Sequence, residues 1–229
     1  MAGFKGAAKP LDDIDLPRIG AKIGVGEDEI HAVLDVEAGG KSFDSQGRPK
    51  MLFEPHIFYR QLNGGQRTKA EKAGLAYPHW RRDYPKDSYP RLIKAMEINS
   101  EAALKSASWG GPQIMGFHHA LLGYPTAAAM VQAFADDAEN HLDGMVAFIK
   151  GNNLDDELRE HNWAGFARGY NGSGYKKNRY DTKLAAAFAK WQTIRDTPFD
   201  QSTPKRPPVA PPATWWGMIL AFFRNWRRK

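Results

Sequence analysis

The chain has 229 residues, enough for one substantial domain with a small appendage. It contains no cysteine, which excludes disulfides and thiolate metal sites, and 12% of its residues are aromatic. Residues 197–229 hold six basic side chains against one aspartate, so they carry a net +5 of the chain's +6. The remaining body is nearly neutral, and we therefore expect no nucleic-acid partner.

Helical patterns dominate the chain after a lead-in of residues 1–12 that we expect to be flexible. Residues 39–66 look irregular or weakly β, and two Tyr-Pro pairs keep the stretch around 77–85 extended. A long pattern over 88–106 is broken near Asn99, where Ser100 is suited to cap the second part. The other helical patterns fall at 13–38 (two helices divided near 24–26), 115–122, 126–134, 136–150, 154–160, 163–169 and 180–194. Strand signal is sparse, so the pattern predicts a mostly α body.

Glu37 is the most informative single residue. In the predicted helix Glu27–Glu37 it falls at i+7 from Ile30, so its carboxylate shares a face with the apolar residues. It also lies in the last turn, where the helix dipole disfavours a second negative charge. Desolvation and the dipole both raise a carboxyl pKa, as a general acid near neutral pH requires. A carboxylate that simply reaches water at a fraying helix end remains the alternative.

The composition changes after Ile194. Residues 196–213 form a proline-rich linker, and residues 214–229 combine a nine-residue apolar run with clustered arginines. That run is well short of the ~20 residues that a membrane-spanning helix needs. We favour shallow contact with an anionic membrane or lipopolysaccharide surface, and a helix docked on protein is the alternative.

Two glycine-rich segments supply polar groups at turns. Residues 107–116 form a tight turn in which the backbone approaches a ligand closely and the Gln113 amide both donates and accepts hydrogen bonds. Residues 166–175 place Tyr170 and Asn171 beside glycines. Each segment alone is more typical of an ordinary loop than of a site.

Together, the order Glu37, then Ser108-x-Gly-x-x-Gln113-Ile, then Tyr170-Asn171-Gly resembles the lysozyme-like superfamily of goose-type lysozymes and soluble lytic transglycosylases. More closely, the stretch from about Asp13 to Trp191 resembles the N-acetylmuramidase domain of phage endolysins that attack Gram-negative peptidoglycan, and we expect the catalytic domain to span 13–195. Four blocks carry this resemblance: 37–43, 47–58, 106–117 and 166–180. It implies a mostly α, lysozyme-like helical domain with a small irregular or β region. Family members often have serine where this chain has Ala38, and many carry an N-terminal wall-binding domain, whose anchoring role we expect the C-terminal segment to take.

The resemblance implies that Glu37 protonates the β-1,4 glycosidic oxygen between N-acetylmuramic acid and N-acetylglucosamine. The second carboxylate is Asp44 or Glu54, of which Glu54 is favoured for catalysis or for orienting Glu37 or the substrate. Hydrolysis needs such a group, whereas a lytic transglycosylase forms 1,6-anhydro products through the substrate's own hydroxyl. The expected substrate-binding residues are Ser108, Trp109, Gln113, Tyr170, Asn171, Phe58 and His56. For the aromatic members a place in the core is the alternative.

His56, His118 and His119 lack metal-ligand spacing, so we expect no metal and no cofactor. We also expect a monomer that is made in the host cytoplasm without a Sec signal and reaches the periplasmic wall through a holin-type lesion. A protein of another class, which binds the wall or disrupts membranes through its cationic tail, is the alternative to an enzyme.

Overall fold

The computed structural model describes residues 4–37 and 41–200. The helices of these residues are α1 Asp15–Ala21, α2 Glu27–Glu37, α3 Pro55–Gln61, α4 Gly64–Lys72, α5 Tyr89–Met96, α6 Ser100–Lys105, α7 Ala127–Asp136, α8 Ala138–Gly151, α9 Asp155–Arg159, α10 Trp163–Asn171, α11 Tyr175–Asn178 and α12 Tyr180–Trp191. The strands are β1 Met51–Phe53, β2 Ala107–Trp109 and β3 Ile114–Met115, which form one antiparallel sheet in the order β1-β2-β3. The predicted mostly α class with a small β region is confirmed. No helix in these ranges is long and apolar enough to cross a bilayer.

Helix α2 has the predicted bounds. It is separated from α1 by a turn in which Gly24 adopts φ +73°, a conformation that favours glycine. The Gly26 N–H donates to Glu29 Oε2 at 2.9 Å, which satisfies a backbone donor at the start of α2. The residues that follow Glu37, including Gly39 and Gly40, lie outside the described residues.

The predicted break in the 88–106 pattern is confirmed, but the predicted cap is wrong. Asn99 has extended backbone angles, and its side-chain oxygen accepts the Ala102 N–H at 2.9 Å. Ser100 is therefore the first helical residue of α6 instead of its cap. An Asn-Ser pair offers two suitable capping side chains, and only the backbone geometry decides between them.

Two short regions differ from the sequence prediction. Residues 55–61 and 64–72 are helices α3 and α4, although 39–66 looked irregular or weakly β; Pro55 begins α3, where a missing N–H costs no hydrogen bond. The helix predicted at 115–122 is instead the end of β3 followed by one turn of 3-10 helix, Gly116–His118. Elements of two to four residues are too short to show a hydrophobic period.

The lead-in is docked on the domain wherever it is described, so the expectation of a flexible segment is wrong for residues 4–12. Lys9 pairs with Asp137 in a parallel bridge, and the Lys9 N–H donates to Asp136 O at 3.0 Å. The Phe4 ring lies 5.8 Å from the Trp109 ring. These backbone bonds and the aromatic contact hold the segment against the domain.

The core has two parts that meet at the glycine-rich turns. One is built on the sheet and α3–α7 around Phe53 and Trp109, and the other on α1, α2, α8–α10 and α12 around Ile30 and Phe166. Ile114 of β3 belongs to the second part, although its own sheet belongs to the first. The turn between β2 and β3 therefore lies at the junction of the two parts.

Candidate active site

A cavity of about 230 Å³ opens at the junction of the two core parts. The segment around β3 supplies residues 112–115 and His118, and helices α8 and α10 supply Phe148 and Tyr170. Four of the seven lining side chains (those of residues 112, 114, 115 and 148) are apolar. A concave, mostly apolar site with a few polar groups is typical of ligand binding.

Glu37 ends α2 and meets the C-terminal end of α10, the helix whose Tyr170 lines this cavity. Asn171, the last residue of α10, donates through Nδ2 to both carboxylate oxygens of Glu37, at 2.9 and 3.0 Å. Burial raises the pKa of Glu37 above its ordinary value, and the Asn171 hydrogen bond and the Lys183 charge offset only part of that rise. The carboxyl group is therefore half-buried, fixed in position and biased towards its protonated form.

Tyr170 connects Glu37 to the cavity. Its ring packs at 5.3 Å against both Phe166 and Phe148. Burial, with a smaller contribution from the Glu37 charge, raises the pKa of Tyr170, so the hydroxyl stays protonated at every ordinary pH. Tyr170 and Asn171, predicted from the third sequence segment, are thus brought together with Glu37 and the cavity wall.

Ser108 and Gln113 are also brought together, but they bond mainly to each other and to their own turn. Ser108 Oγ donates to Gln113 Oε1 at 2.9 Å, and Gln113 Nε2 donates to Gly110 O at 2.7 Å. Gln113 itself adopts φ +54°, an uncommon conformation for a residue with a side chain. These bonds hold the cavity rim in a single shape.

A buried histidine that the sequence analysis did not select supports the same turn. His141 Nδ1 accepts the Gly111 N–H at 3.3 Å, and His141 Nε2 donates to Phe134 O at 2.7 Å. Burial lowers the pKa of His141 to about 4, so the ring is neutral and can hold these opposite roles on its two nitrogens. Its position in the middle of the amphipathic helix α8 gives no sequence signal that separates it from an ordinary core residue.

Glu54 directly precedes α3, at its N-cap position, and belongs to a second polar cluster. Its Oε2 accepts a hydrogen bond from the Tyr84 hydroxyl and lies 3.2 Å from His56 Nδ1. Tyr84, which precedes Pro85, was predicted only to lie in an extended stretch and was not expected to belong to a site. Burial, followed by the hydrogen bond to Glu54, raises the pKa of Tyr84. The phenol therefore remains a donor to Glu54.

Trp109 and Phe58 are corrections to the expected substrate-binding set, because both rings are fully buried in the core. The Trp109 indole N–H donates to Leu104 O at 3.0 Å, and Phe58 packs edge-on against Phe53 at 5.4 Å. A ring without exposed area cannot stack on a sugar. Flanking residues gave no means to predict this, since core and platform aromatics share the same composition.

Asp44, the other candidate for the second carboxylate, bonds to its own turn. It accepts the backbone N–H groups of Gln46 and Arg48 at 2.8 and 3.0 Å and pairs with the Arg48 guanidinium. Burial raises its pKa, but the bonds from Arg48 and Gln46 outweigh burial and lower it overall. Within residues 4–37 and 41–200 there is no cluster of three or more side chains suited to hold a metal ion.

The comparisons with known proteins agree with this geometry. The chain matches the N-acetylmuramidase family over residues 27–192. Its fold is similar to the crystal structure of a Burkholderia AP3 phage endolysin, with a TM-score of 0.75 and 38% sequence identity over 81% of this chain and 73% of that one. The comparison with curated proteins gives no match. The chain therefore belongs to the N-acetylmuramidase family and is a lysozyme-type glycoside hydrolase that acts on peptidoglycan.

Proposed function

We propose that Glu37 is the general acid that cleaves the β-1,4 bond between N-acetylmuramic acid and N-acetylglucosamine. The observation that carries the proposal is a carboxyl group fixed by Asn171, next along α10 to the cavity-lining Tyr170, with a pKa raised by burial. A raised pKa increases the fraction of Glu37 that carries a proton as the pH approaches neutrality, and that proton can be given to the leaving oxygen. The two Asn171 contacts hold the oxygens in one orientation, which reduces the cost of reaching the reactive geometry.

Glu54 is the proposed second carboxylate. Both of its side-chain contacts, from Tyr84 and His56, fall on Oε2, and Oε1 has no hydrogen-bond partner among the described residues. A carboxylate held by one oxygen and open on the other is suited to orient or deprotonate a water molecule. This asymmetry favours hydrolysis over a transglycosylase reaction, which needs no such group.

The substrate-binding proposal is narrower than the sequence expectation. Tyr170 and Asn171 are proposed to contact the glycan directly, because Tyr170 lines the cavity and Asn171, the next residue, donates to Glu37. His56 is proposed to act through Glu54. Ser108 and Gln113 are proposed to shape the rim, since most of their polar capacity is used within the turn.

Product analysis tests these roles. Purified sacculi are digested with wild type, Glu37→Gln and Glu54→Gln, and the muropeptides are identified by mass spectrometry. We expect reducing ends from wild type, loss of nearly all activity in Glu37→Gln, and about a 100-fold loss in Glu54→Gln, the lower end of the range usual for acid–base groups. Products with 1,6-anhydro ends would show that the reaction is transglycosylation and not hydrolysis. An active Glu37→Gln would refute the role of Glu37.

We further propose that the enzyme lyses a phage-infected host and reaches the periplasmic wall after a separate protein has opened the inner membrane. The similarity to a Burkholderia phage endolysin supports this role. Residues 214–229, which lie outside the described residues, are proposed from composition to contact an anionic membrane or lipopolysaccharide. Deleting 213–229 should reduce killing of intact cells but leave digestion of purified sacculi unchanged. Equal loss in both assays would contradict a membrane role.

A further inference from the structure

The cavity that Tyr170 lines also holds a histidine that neither the predicted site nor the proposed chemistry uses. His118 ends the 3-10 turn that follows β3 and is half-buried in the cavity wall. Its ring lies 4.4 Å from the Phe117 ring and 5.1 Å, edge to face, from the Phe148 ring. Phe148 in turn packs against Tyr170, so the aromatic wall runs from His118 to the residue beside Glu37.

His118 is one of few polar groups of the cavity that are available to a ligand. The Gln113 amide is bonded to Ser108 and Gly110 through both of its ends. By contrast, neither the ring nitrogens of His118 nor the Tyr170 hydroxyl have a hydrogen-bond partner within residues 4–37 and 41–200. Polar groups set in an apolar wall without protein partners are normally satisfied by water or by a ligand.

We propose that this cavity binds the acetamido group of an aminosugar, with His118 hydrogen-bonded to the amide and the apolar wall in contact with the acetyl methyl. This proposal rests on the proposed function, and it names the sugar substituent that the cavity recognises. An acetamido group presents one acceptor, one donor and a methyl group. The cavity offers a histidine and a tyrosine, each able to donate and accept, beside the apolar side chains of Met115 and Phe148.

A neutral amide fits His118 better than a carboxylate does. Burial lowers the pKa of His118, so the imidazole is neutral at pH 7 and gives no cationic partner to an acidic group. The volume of about 230 Å³ is below the ~300–1,000 Å³ of typical small-molecule sites, which suits a substituent and part of one ring.

The test measures binding without turnover. Glu37→Gln and Glu37→Gln/His118→Phe are titrated calorimetrically with a β-1,4 tetramer of N-acetylglucosamine and with the matching glucosamine tetramer. Phenylalanine keeps the aromatic packing and removes the hydrogen bond. We expect His118→Phe to weaken binding of the acetylated tetramer about tenfold, the effect of one hydrogen bond, and to change binding of the glucosamine tetramer less than twofold.

The glucosamine tetramer is positively charged, but the effect of the substitution is measured as the ratio of two affinities for the same ligand. The charge of the ligand therefore does not enter the comparison. His118→Gln, which retains a donor and an acceptor, should keep affinity for the acetylated tetramer within about threefold of the parent. Equal weakening on both tetramers, or none on the acetylated one, overturns the proposal. An unchanged affinity for the acetylated tetramer is also the result expected if the cavity binds the lactyl amide instead, because the tetramer has no lactyl group.

A measurement without substitution at His118 covers the case in which the phenylalanine variant does not fold. In Glu37→Gln labelled with ¹⁵N-histidine, the acetylated tetramer should shift one imidazole resonance, and the glucosamine tetramer should leave it in place. Equal shifts with both ligands, or none, refute the acetamido assignment. These binding results are independent of the reaction products, so failure here leaves the role of Glu37 intact. An active Glu37→Gln would instead be detected in the product analysis, which contains no His118 variant.

Discussion

Replacing Asn171 with leucine separates the pKa of Glu37 from the other contributions to catalysis. The side chain keeps a similar shape but no longer donates to the two Glu37 oxygens, which now accept at 2.9 and 3.0 Å. Those bonds favour ionised Glu37, and Lys183 does so to a smaller extent. Their loss therefore raises the pKa of Glu37, because burial is then opposed by Lys183 alone.

The magnitude follows from the type of bond that is lost. Hydrogen bonds to a charged group contribute about 1.5–3 kcal/mol, and Glu37 is partly open to solvent, so the lower end applies. About 1.4 kcal/mol corresponds to a tenfold change in the ratio of protonated to ionised carboxyl at a fixed pH. The variant should lose overall activity through poorer positioning, yet its remaining activity should extend to higher pH than in wild type.

The assay is the pH dependence of kcat/KM on purified sacculi, and the readout is the position of the alkaline limb. Asn162→Ala is the matched control, because Asn162 caps the start of the same helix by accepting the Gly165 N–H at 3.1 Å. That variant should lose about 1 kcal/mol of stability and leave the limb in place. A limb that stays fixed or moves to lower pH in Asn171→Leu would refute the assignment of Glu37 as the titrating acid.

Three further predictions concern stability and are checked by thermal melting. Because the folded-state pKa of Glu37 is raised, its contribution to stability is fully present below its ordinary pKa and is lost as pH rises. Glu37→Gln should therefore melt at or above the wild-type temperature at pH 8. A clear decrease in melting temperature would contradict a desolvated carboxylate at this position. The pKa of His141 is lowered to about 4, so the stability of the protein should fall as the pH drops from 6.5 towards 4. His141→Gln should be less stable at every pH but should lack this part of the pH dependence. If the pH dependence is unchanged in the variant, a group other than His141 causes it. Gly116→Ala should cost about 3 kcal/mol or more of stability, because a Cβ at this position would clash with the carbonyl oxygen of Leu104. Gly65→Ala, where a Cβ on helix α4 meets no neighbouring atom, should be neutral or stabilising by up to about 1 kcal/mol. Similar melting temperatures for the two variants would contradict the packing at Gly116.

Much of the fold, and the helix face on which the proposed acid Glu37 lies, were accessible from sequence because they depend on local, periodic signals. Helix α2 spans eleven residues, long enough for its apolar stripe to place Glu37 on a defined face. The same holds for the long helices α7, α8 and α12. The order of three motifs, each weak alone, was sufficient to indicate the family that the comparison confirms.

The tertiary structure decided what depends on contacts between distant residues. Nothing local distinguishes Trp109, which fills the core, from a sugar platform, and nothing local brings Tyr84 to Glu54 across thirty positions. Nor does sequence show that Asn171 bonds Glu37, or that His118 faces the cavity with no hydrogen-bond partner for its ring among the described residues. Burial and hydrogen-bond partners are properties of the packed chain, because desolvation and pairing exist only once distant segments have met.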